Sequence, residues 1–409
     1  MQDRERLTSL DGLRGVAALA VLGFHATVLI PSVSAYMIDK GAAPAVGSLT
    51  WWLAASPLRL FTAGDEAVFV FFALSGFVLV NQVLSVRGFS WVGYYVSRVA
   101  RLMVPVIASV LFSAALVLLV PRPVNPDGVT WLSPPYNPDG VSWADLFRDV
   151  EVLFSPLKLN GPLWSLRWEM LFSLALPLIV VLLAVIAGRA AGGILTDVAV
   201  VAVSAVTTVV GLYSGTEALT YMPLFVLGGW IAFRREDWRG WSARRWAGRG
   251  LLVVMVLGLS ASMLLRPYVD PAGAVAVLAR VATMLGATGV VALTVVYAPS
   301  SGFLASRPVT HLGTISFSLY LTHQPILAAF GVYFGSEQWP LAVLCGLVAS
   351  LLIAGCFHRV VERPSHRMSR RLGRHATELA ASDWRLPGSP RARAEEGEPG
   401  RGRRMRAAE

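Results

Sequence analysis

The sequence predicts an all-α fold, a polytopic membrane bundle of about ten transmembrane helices. Hydrophobic residues make up 55% of the 409 residues and charged residues only 15%, whereas a soluble domain carries about 25% charged residues. Several apolar stretches approach the roughly 20 residues that an α-helix needs to cross the hydrocarbon core. We therefore expect a multi-pass protein of the cell membrane, in contact with membrane lipids.

Apolar stretches separated by polar or turn-forming residues give the expected helices in chain order. Their expected limits are 13–30, 66–85, 103–120, 163–187, 195–213, 218–233, 250–265, 274–297, 315–334 and 340–358. Asp11, Arg14 and His25 interrupt the first stretch, and no small-residue cleavage site follows it. The first stretch is therefore predicted to be a retained helix rather than a cleavable signal peptide.

The basic residues of the connecting segments are unevenly distributed between the two sides of the predicted bundle. The first side carries the basic C-terminal tail together with Arg4, Arg6, Arg87, Arg98, Arg101, Arg234, Arg235, Arg239, Arg244, Arg245 and Arg249. The second side carries Lys40, Arg59, Arg122, Arg148, Lys158 and Arg266. Because cytoplasmic loops hold an excess of lysine and arginine, both termini are expected in the cytoplasm.

Two regions fall outside the predicted helices. Residues 1–367 are expected to form one membrane domain, and residues 368–409 a basic cytoplasmic tail that is disordered because it lacks apolar periodicity. The outer segment 121–162 is rich in Pro, Asp, Asn and Trp and is too long for a tight connection. It is either a lid or acceptor-binding surface, or a solvated loop.

The net charge of +10 is better explained by anionic lipid headgroups than by a nucleic-acid partner, because the basic residues cluster at one membrane edge.

Cys345 and Cys356 both fall in the last predicted helix, about 16 Å apart, which is beyond disulfide reach. No spacing typical of zinc or haem ligation occurs, so neither a metal nor a bound cofactor is expected.

His25 lies eleven residues after Arg14 in an otherwise apolar helix. That spacing places both side chains on one helical face, about 16 Å apart. An ionisable residue deep in a membrane helix is costly and therefore a functional candidate. Asp11 lies three residues before Arg14, so the two can pair or contact a ligand together. The alternatives are an arginine that anchors the helix at the interface and a histidine that only packs.

The second predicted helix opens with Asp65 and Glu66, which either stabilise its N-terminus or contact an acceptor hydroxyl. Its middle carries Ser75 and Gly76, a pair of small residues. Small residues let helices or ligands approach the backbone closely. Helix packing is the favoured interpretation of this pair, and a ligand pocket is the alternative.

The third and fourth predicted helices carry charged residues near their starts. Arg98 and Arg101 are three residues apart, so both can project toward one anion, either a lipid headgroup or a nucleotide. Glu169 is expected at the same depth as His25, where its carboxylate would orient the imidazole and raise its basicity. The alternative for Glu169 is a structural ion pair, for example with Arg167.

The ninth predicted helix is unusually polar. Its residues Tyr320 and His323 share a helical face, and Pro325 loosens the backbone hydrogen bonding just beyond them. We expect either structural hydrogen bonding or a substrate-facing role for this stretch, which also holds Ser316, Ser318 and Gln324.

Six segments together resemble the acyltransferase 3 family of integral membrane acyltransferases. They are LDGLRGVAALAVLGFH, VFFALSGFVL, SRVARLMVP, LWSLRWEM, SFSLYLTHQPIL and VVERPSHR. The resemblance covers Leu7 to Arg367 and implies transfer of an acyl group, commonly acetyl, from acyl-CoA to a hydroxyl of a saccharide or glycosylated molecule. Many relatives carry two consecutive acidic residues after the Trp-Ser-Leu element, whereas this chain carries Glu169 alone.

The resemblance and the residues suggest roles for the candidates. Acyl-CoA is the expected co-substrate, and the donor-binding residues are Asp11, Arg14, Arg98 and Arg101. His25 is the expected general base, assisted by Glu169. The acceptor or pocket residues are Glu66, Ser75, Tyr320 and His323, and the last three are also candidates for stabilising an oxyanion.

Two other classes of function compete with the transferase. One is an exporter or transporter of an envelope saccharide, with His25, Glu169 and His323 as a proton relay. The other is a membrane scaffold without chemistry. Transporters often contain inverted repeats, and no convincing repeat occurs in the sequence, so the enzyme is favoured. The sequence does not distinguish among three kinds of acceptor: a cell-envelope polysaccharide, a glycolipid and a glycosylated metabolite such as a macrolide.

Overall fold

The computed structural model is a bundle of helices joined by mostly short connections. The structure describes residues 2–38, 41–86, 88–120, 141–154, 157–189, 193–239, 245–271, 273–296 and 301–380. The helices are α1 (Gln2–Thr27), α2 (Pro31–Met37), α3 (Leu49–Ala54), α4 (Gly64–Ser85), α5 (Trp91–Leu119), α6 (Trp143–Glu151), α7 (Leu163–Arg189), α8 (Ile194–Ser214), α9 (Glu217–Arg239), α10 (Arg245–Leu259), α11 (Ala261–Leu265), α12 (Ala274–Val296), α13 (Ser301–Leu304), α14 (Arg307–Phe334), α15 (Trp339–Phe357) and α16 (Arg363–Ala380). A 3₁₀ turn covers Pro57–Thr62, and a π-helical turn covers His358–Glu362.

Within the described residues, six helical segments are long and apolar enough to cross a membrane. They are α4, α5, Leu163–Gly188, α8, α12 and the continuous run Trp339–Ala380. A seventh is counted if Thr8–Thr27 and Pro31–Met37, which meet at 106°, form one broken span. Each of the ten stretches predicted from the sequence overlaps a helix of the structure, but α9, α14 and the α10–α11 pair are not among these membrane-crossing segments. In α14 the polar side chains of His323 and Gln324 lower the hydropathy.

Glycine residues allow α14 to pack closely on α1, and α4 on α9. A Cβ atom at Gly313 of α14 would overlap the backbone of Asp11 in α1, and one at Gly76 of α4 would overlap the backbone of Phe225 in α9. Close backbone approach through small residues is the usual way in which helices associate without water. The packing interpretation of Gly76 is therefore confirmed.

The segment that precedes α7 enters the bundle. The buried carboxylate of Asp149 accepts hydrogen bonds from the backbone amides of Lys158, Leu159 and Asn160 at 2.7, 2.8 and 2.8 Å. The Asn160 side chain in turn donates to the carbonyl of Leu321, in the middle of α14, at 2.9 Å. Burial raises the pKa of Asp149, while the three amides oppose that shift. Because these hydrogen bonds anchor the residues just before α7 in the interior, α7 begins inside the bundle and not at its surface.

The segment 121–162, expected to be a lid or a solvated loop, is described only in part. Its residues 121–140 lie outside the described residues. The following part forms α6, whose N-terminus is closed by a capping box between Ser142 and Asp145.

The expected disorder of the tail is wrong for residues 368–380, because α16 continues to Ala380. Ser365, Ser369 and Gly373 are buried at four-residue spacing on one face of this helix. Gly373 there meets Gly93 of α5 so closely that neither position has room for a side chain. This tertiary packing stabilises a helix whose sequence has little apolar content. Residues 381–409 lie outside the described residues.

Candidate active site

Polar side chains from α1, α4, α5, α7 and α14 surround a cavity of about 340 Å³, which we call the central cavity. Seven of the residues singled out from the sequence line it, namely Asp11, Arg14, Ser75, Arg98, Arg101, Glu169 and Tyr320. They lie far apart in the chain, so the fold gathers them at one place. Asp11 and Arg14 approach to 3.8 Å, as their spacing predicts.

Glu169 forms an ion pair with Arg98, whose Nε also donates to Ser173 Oγ at 3.1 Å. The expected carboxylate–imidazole pair between Glu169 and His25 is therefore wrong. Because α7 begins inside the bundle, Glu169 lies deeper than its position in the chain suggests. The alternative partner, Arg167, instead donates from Nε to the backbone carbonyl of Val152 at 3.2 Å.

A second cavity of about 550 Å³, the basic cavity, shares the walls formed by Arg14, Ser75, Arg98, Arg101 and Glu169 with the central cavity. Its remaining wall includes Arg370 and Arg374 of α16. These two arginines were not among the residues predicted from the sequence, because the helix that carries them was assigned partly to a disordered tail. The i, i+4 spacing of Arg370 and Arg374 in an otherwise mixed stretch was the available signal.

His25 lies against His323 rather than a carboxylate. The Nδ1 atom of His25 lies 3.0 Å from the Val21 carbonyl oxygen and 3.1 Å from His323 Nε2. The Nδ1 atom of His323 lies 2.9 Å from the Leu319 carbonyl oxygen. Carbonyl oxygens only accept hydrogen bonds, so each Nδ1 is assigned the proton when the rings are neutral. This tautomer leaves Nε2 of His25 as its basic nitrogen.

His25 lines a third cavity of about 270 Å³, the histidine cavity, together with Asp65, Trp164, Tyr320 and Gln324. Tyr320 also lines the central cavity, so this side chain lies between the two spaces. Its hydroxyl is 2.7 Å from Ser165 Oγ and donates to the Pro162 carbonyl oxygen at 3.1 Å. His323 is only 1% exposed and lines none of the four cavities described for this chain. His323 contacts the Nδ1 side of His25, and the acceptor or pocket role of His323 stays a prediction.

Glu66 does not share a cavity with His25. It lines a fourth space of about 710 Å³, the glutamate cavity, which adjoins the histidine cavity at Phe24, Ile38 and Asp65. Glu66 is 4% exposed, and no described residue hydrogen-bonds to its Oε2 atom. Arg59, Arg266 and Arg280 line the same space.

A further acidic residue of the central cavity, Glu362, was missed in the sequence. Its carboxylate lies 3.0 Å from His358 Nδ1 and 3.7 Å from His366 Nε2, and it accepts a hydrogen bond from Ser318 of α14. His358, Glu362 and His366 all line the central cavity. Their regular four-residue spacing was the signal. His358 and Glu362 lie in the π-helical turn, a feature often found at functional sites, and His366 lies in α16.

Comparison with known proteins gives the family of this chain. A family model described as an acyltransferase domain, that of the acyltransferase 3 family, matches residues 7–359. The chain belongs to the acyltransferase 3 family. Acyltransferase MdmB of Streptomyces mycarofaciens is similar, with 29% identity over 413 residues, 92% of this chain and 95% of the relative. No solved structure matches the chain.

The resemblance drawn from the six sequence segments is thus confirmed, and the protein is an acyltransferase. Its basic, central and histidine cavities adjoin one another in that order through shared wall residues. Arginines thus line one end of this series of cavities, and His25 lines the other end.

Proposed function

We propose that this acyltransferase is a membrane O-acyltransferase of the cell membrane that transfers a short acyl group, such as acetyl, from acyl-CoA to a hydroxyl of a saccharide, glycolipid or glycosylated metabolite. The observation that carries the proposal is the series of adjoining cavities between the arginines and His25. Acyl-CoA is itself long, with phosphates at one end and a thioester at the other.

The donor enters from the basic cavity. Arg14, Arg98 and Arg101 bind phosphate oxygens, for which guanidinium groups are well suited. The pantetheine arm extends through the central cavity toward Tyr320, and the thioester lies near His25. Because acyl-CoA is made in the cytoplasm, the basic cavity opens to that side, with both termini there and about ten helices crossing the membrane.

His25 acts as the general base. Its Nε2 atom removes the proton of the acceptor hydroxyl as the oxygen attacks the thioester carbonyl carbon. The new ester C–O bond forms, the C–S bond breaks, and the thiolate of CoA leaves and takes up the proton from His25. His323 is a positioning residue in this scheme, because it contacts the opposite nitrogen of the imidazole.

The acceptor approaches from the other side, through the histidine and glutamate cavities. Their charged walls, with Asp65, Glu66 and Arg280, offer both donors and acceptors of hydrogen bonds. A hydroxyl-rich ligand needs both kinds of partner. The exporter alternative is less well supported, because its relay needs Glu169 beside the histidines and Glu169 instead pairs with Arg98.

The test is acyl transfer by the purified full-length protein in lipid nanodiscs. Acetyl-CoA is supplied with cell-envelope and secreted extracts, and mass spectrometry follows released CoA and acetylated products. We expect CoA release with a matching mass increase on an acceptor, and a His25→Ala loss of about 10²-fold to 10⁴-fold. The control is His311→Ala, since His311 is exposed and lines none of these cavities. A correctly inserted His25→Ala protein with full activity would exclude the mechanism.

A further inference from the structure

Helix α16 contributes two arginines to the rim of the basic cavity. Arg370 and Arg374 are one helical turn apart, and both line this cavity together with Gly373, Thr377 and Glu378 of the same helix. Arg370 and Arg374 are exposed, whereas the Arg98 side chain is only 11% exposed. The basic cavity therefore has a deep set of arginines and a separate set at its rim.

The orientation of α16 is fixed by its packing on α5. Gly93 and Gly373 meet at the crossing, and Thr377 Oγ1 donates to the Gly373 carbonyl oxygen at 2.8 Å. The buried face of α16 carries Ser365 and Ser369, which are 3% and 1% exposed. With that face against the bundle, the Arg370 and Arg374 side chains lie on the cavity wall. Arg367 and Arg371 lie on the same helix, are also exposed, and do not line the cavity.

The charge of the basic cavity fits a ligand with several phosphates. Its walls hold five arginines against two glutamates, and one of the glutamates, Glu169, is already paired with Arg98. A volume of about 550 Å³ lies within the range of about 300–1,000 Å³ that is typical of small-molecule sites. Arg14 lies 3.8 Å from Asp11, so Arg101, Arg370 and Arg374 are the arginines of this cavity for which no ion pair is seen among the described residues. A ligand with more than one phosphate can pair with all three.

We propose that Arg370 and Arg374 bind the 3′-phosphate of coenzyme A and make α16 an element of donor recognition. The inference rests on the proposed use of acyl-CoA. The order of groups along the donor matches the order of residues: the thioester lies toward His25, the pyrophosphate lies at the deep arginines, and the adenosine 3′-phosphate trails at the rim. A lipid headgroup offers the same phosphate chemistry, so the experiment has to separate the two sources.

The experiment compares CoA with dephospho-CoA, which lacks only the 3′-phosphate. Binding is measured by calorimetry on the purified full-length protein in phosphatidylcholine nanodiscs. We expect the unaltered protein to bind CoA at least tenfold more tightly than dephospho-CoA. The double variant Arg370→Ala/Arg374→Ala should bind CoA at least tenfold more weakly and bind the two ligands alike. The control Arg367→Ala/Arg371→Ala removes the same charge from the same helix and should keep the preference.

The outcomes separate the inference from the proposed function. If the unaltered protein binds neither ligand, the proposed donor is wrong and the inference with it. If it binds CoA but has no preference for the 3′-phosphate, or if the double variant keeps that preference, only the inference is wrong. Native mass spectrometry with added phosphatidylglycerol tests the lipid source. A double variant that loses bound phosphatidylglycerol but keeps CoA affinity assigns the two arginines to lipid and overturns the inference.

Discussion

The Nδ1 atom of the His25 imidazole lies within hydrogen-bond distance of a backbone carbonyl and of a second imidazole. The Val21 carbonyl oxygen belongs to the same helix as His25, whereas His323 ties this ring to α14. His323 is itself fixed by the Leu319 carbonyl oxygen. A base whose ring is fixed in this way presents Nε2 in one orientation, which reduces the entropy lost when the acceptor reacts.

Replacing His323 is expected to impair catalysis more than donor binding. A His323→Leu variant removes the acceptor at Nδ1 of His25, and we expect kcat for acetyl transfer to fall about 10-fold to 100-fold with little change in the KM for acetyl-CoA. A His323→Gln variant restores an oxygen acceptor and should recover most of the loss. Steady-state kinetics of the purified variants measure both constants.

The comparison between the two His323 variants decides the role. A residue that only fills space would be replaced better by leucine than by glutamine, since the site is buried. Equal kcat values for both variants, or a loss confined to KM, would contradict a positioning role.

Sequence spacing predicted that Arg98 and Arg101 project toward one anion, because side chains three residues apart on one helix face the same way. The family resemblance added Arg14 to this group of donor-binding residues. The spacing did not predict the partners of His25 and Glu169. Those partners depend on how deep α7 lies in the bundle. The sequence gives that depth only relative to an assumed membrane surface. The hydrogen bonds of Asp149 to three amides place the start of α7 inside the bundle. No pattern in the local sequence predicts this position.

At the scale of elements, the entry of the 157–162 segment into the bundle depends on buried polar contacts. Non-helical backbone at membrane depth persists only when protein groups satisfy its amides and carbonyls. Asp149 supplies three such contacts, and Asn160 adds one to the middle of α14. The first two turns of α7, with Ser165 and Glu169, take their position from this anchor.

Loss of the Asp149 carboxylate is expected to destabilise this anchor. An Asp149→Ala variant leaves three buried amides without an acceptor, at roughly 1–3 kcal/mol for each unsatisfied group. We expect the free energy of unfolding to fall by about 3 kcal/mol or more, seen as a lower denaturation temperature in detergent. The exposed Glu217 provides the control variant Glu217→Ala. Equal denaturation temperatures for the two variants would argue against the anchor.

Two glycines offer a matched test of helix packing. Gly76→Ala places a methyl group into the backbone of Phe225, so we expect a loss of about 1–3 kcal/mol in stability. At Gly188, near the end of α7, a Cβ atom meets nothing within 4 Å. Gly188→Ala should therefore be neutral or stabilise the helix by up to about 1 kcal/mol. Thermal denaturation of both variants measures the difference, and a Gly76→Ala protein as stable as Gly188→Ala would refute the close packing of α4 on α9.

Helices with strong apolar patterns were predictable, whereas α16 was not. Residues such as Arg367, Arg370 and Arg371 give this stretch the composition of a solvated tail. Its helical structure comes from Ser369 and Gly373, whose small side chains fit the surface of α5. Tertiary packing of this kind stabilises a helix without any local apolar periodicity.

At the scale of the whole molecule, the adjoining cavities run from the arginines of the basic cavity to His25. The N-terminal helix contributes Arg14 to the basic cavity and His25 to the histidine cavity. The start of α5 and the C-terminal helix α16 meet at the basic cavity as well. The first and last helices of the described chain thus bring their basic residues to one end. This arrangement supports a topology in which both termini lie on the same side.

That topology predicts which loops are accessible from outside the cell. With about ten crossings and the N-terminus in the cytoplasm, the turn between α14 and α15 lies outside and α16 lies inside. In a background in which Cys345 and Cys356 are replaced by alanine, we expect Glu337→Cys to react with a membrane-impermeant maleimide on intact cells. Arg371→Cys should react only after the cells are permeabilised. Both positions are exposed in the structure, so failure to label reports the membrane and not burial. Labelling of Arg371→Cys on intact cells would place the basic cavity outside, away from cytoplasmic acyl-CoA, and would overturn the proposed path of the donor.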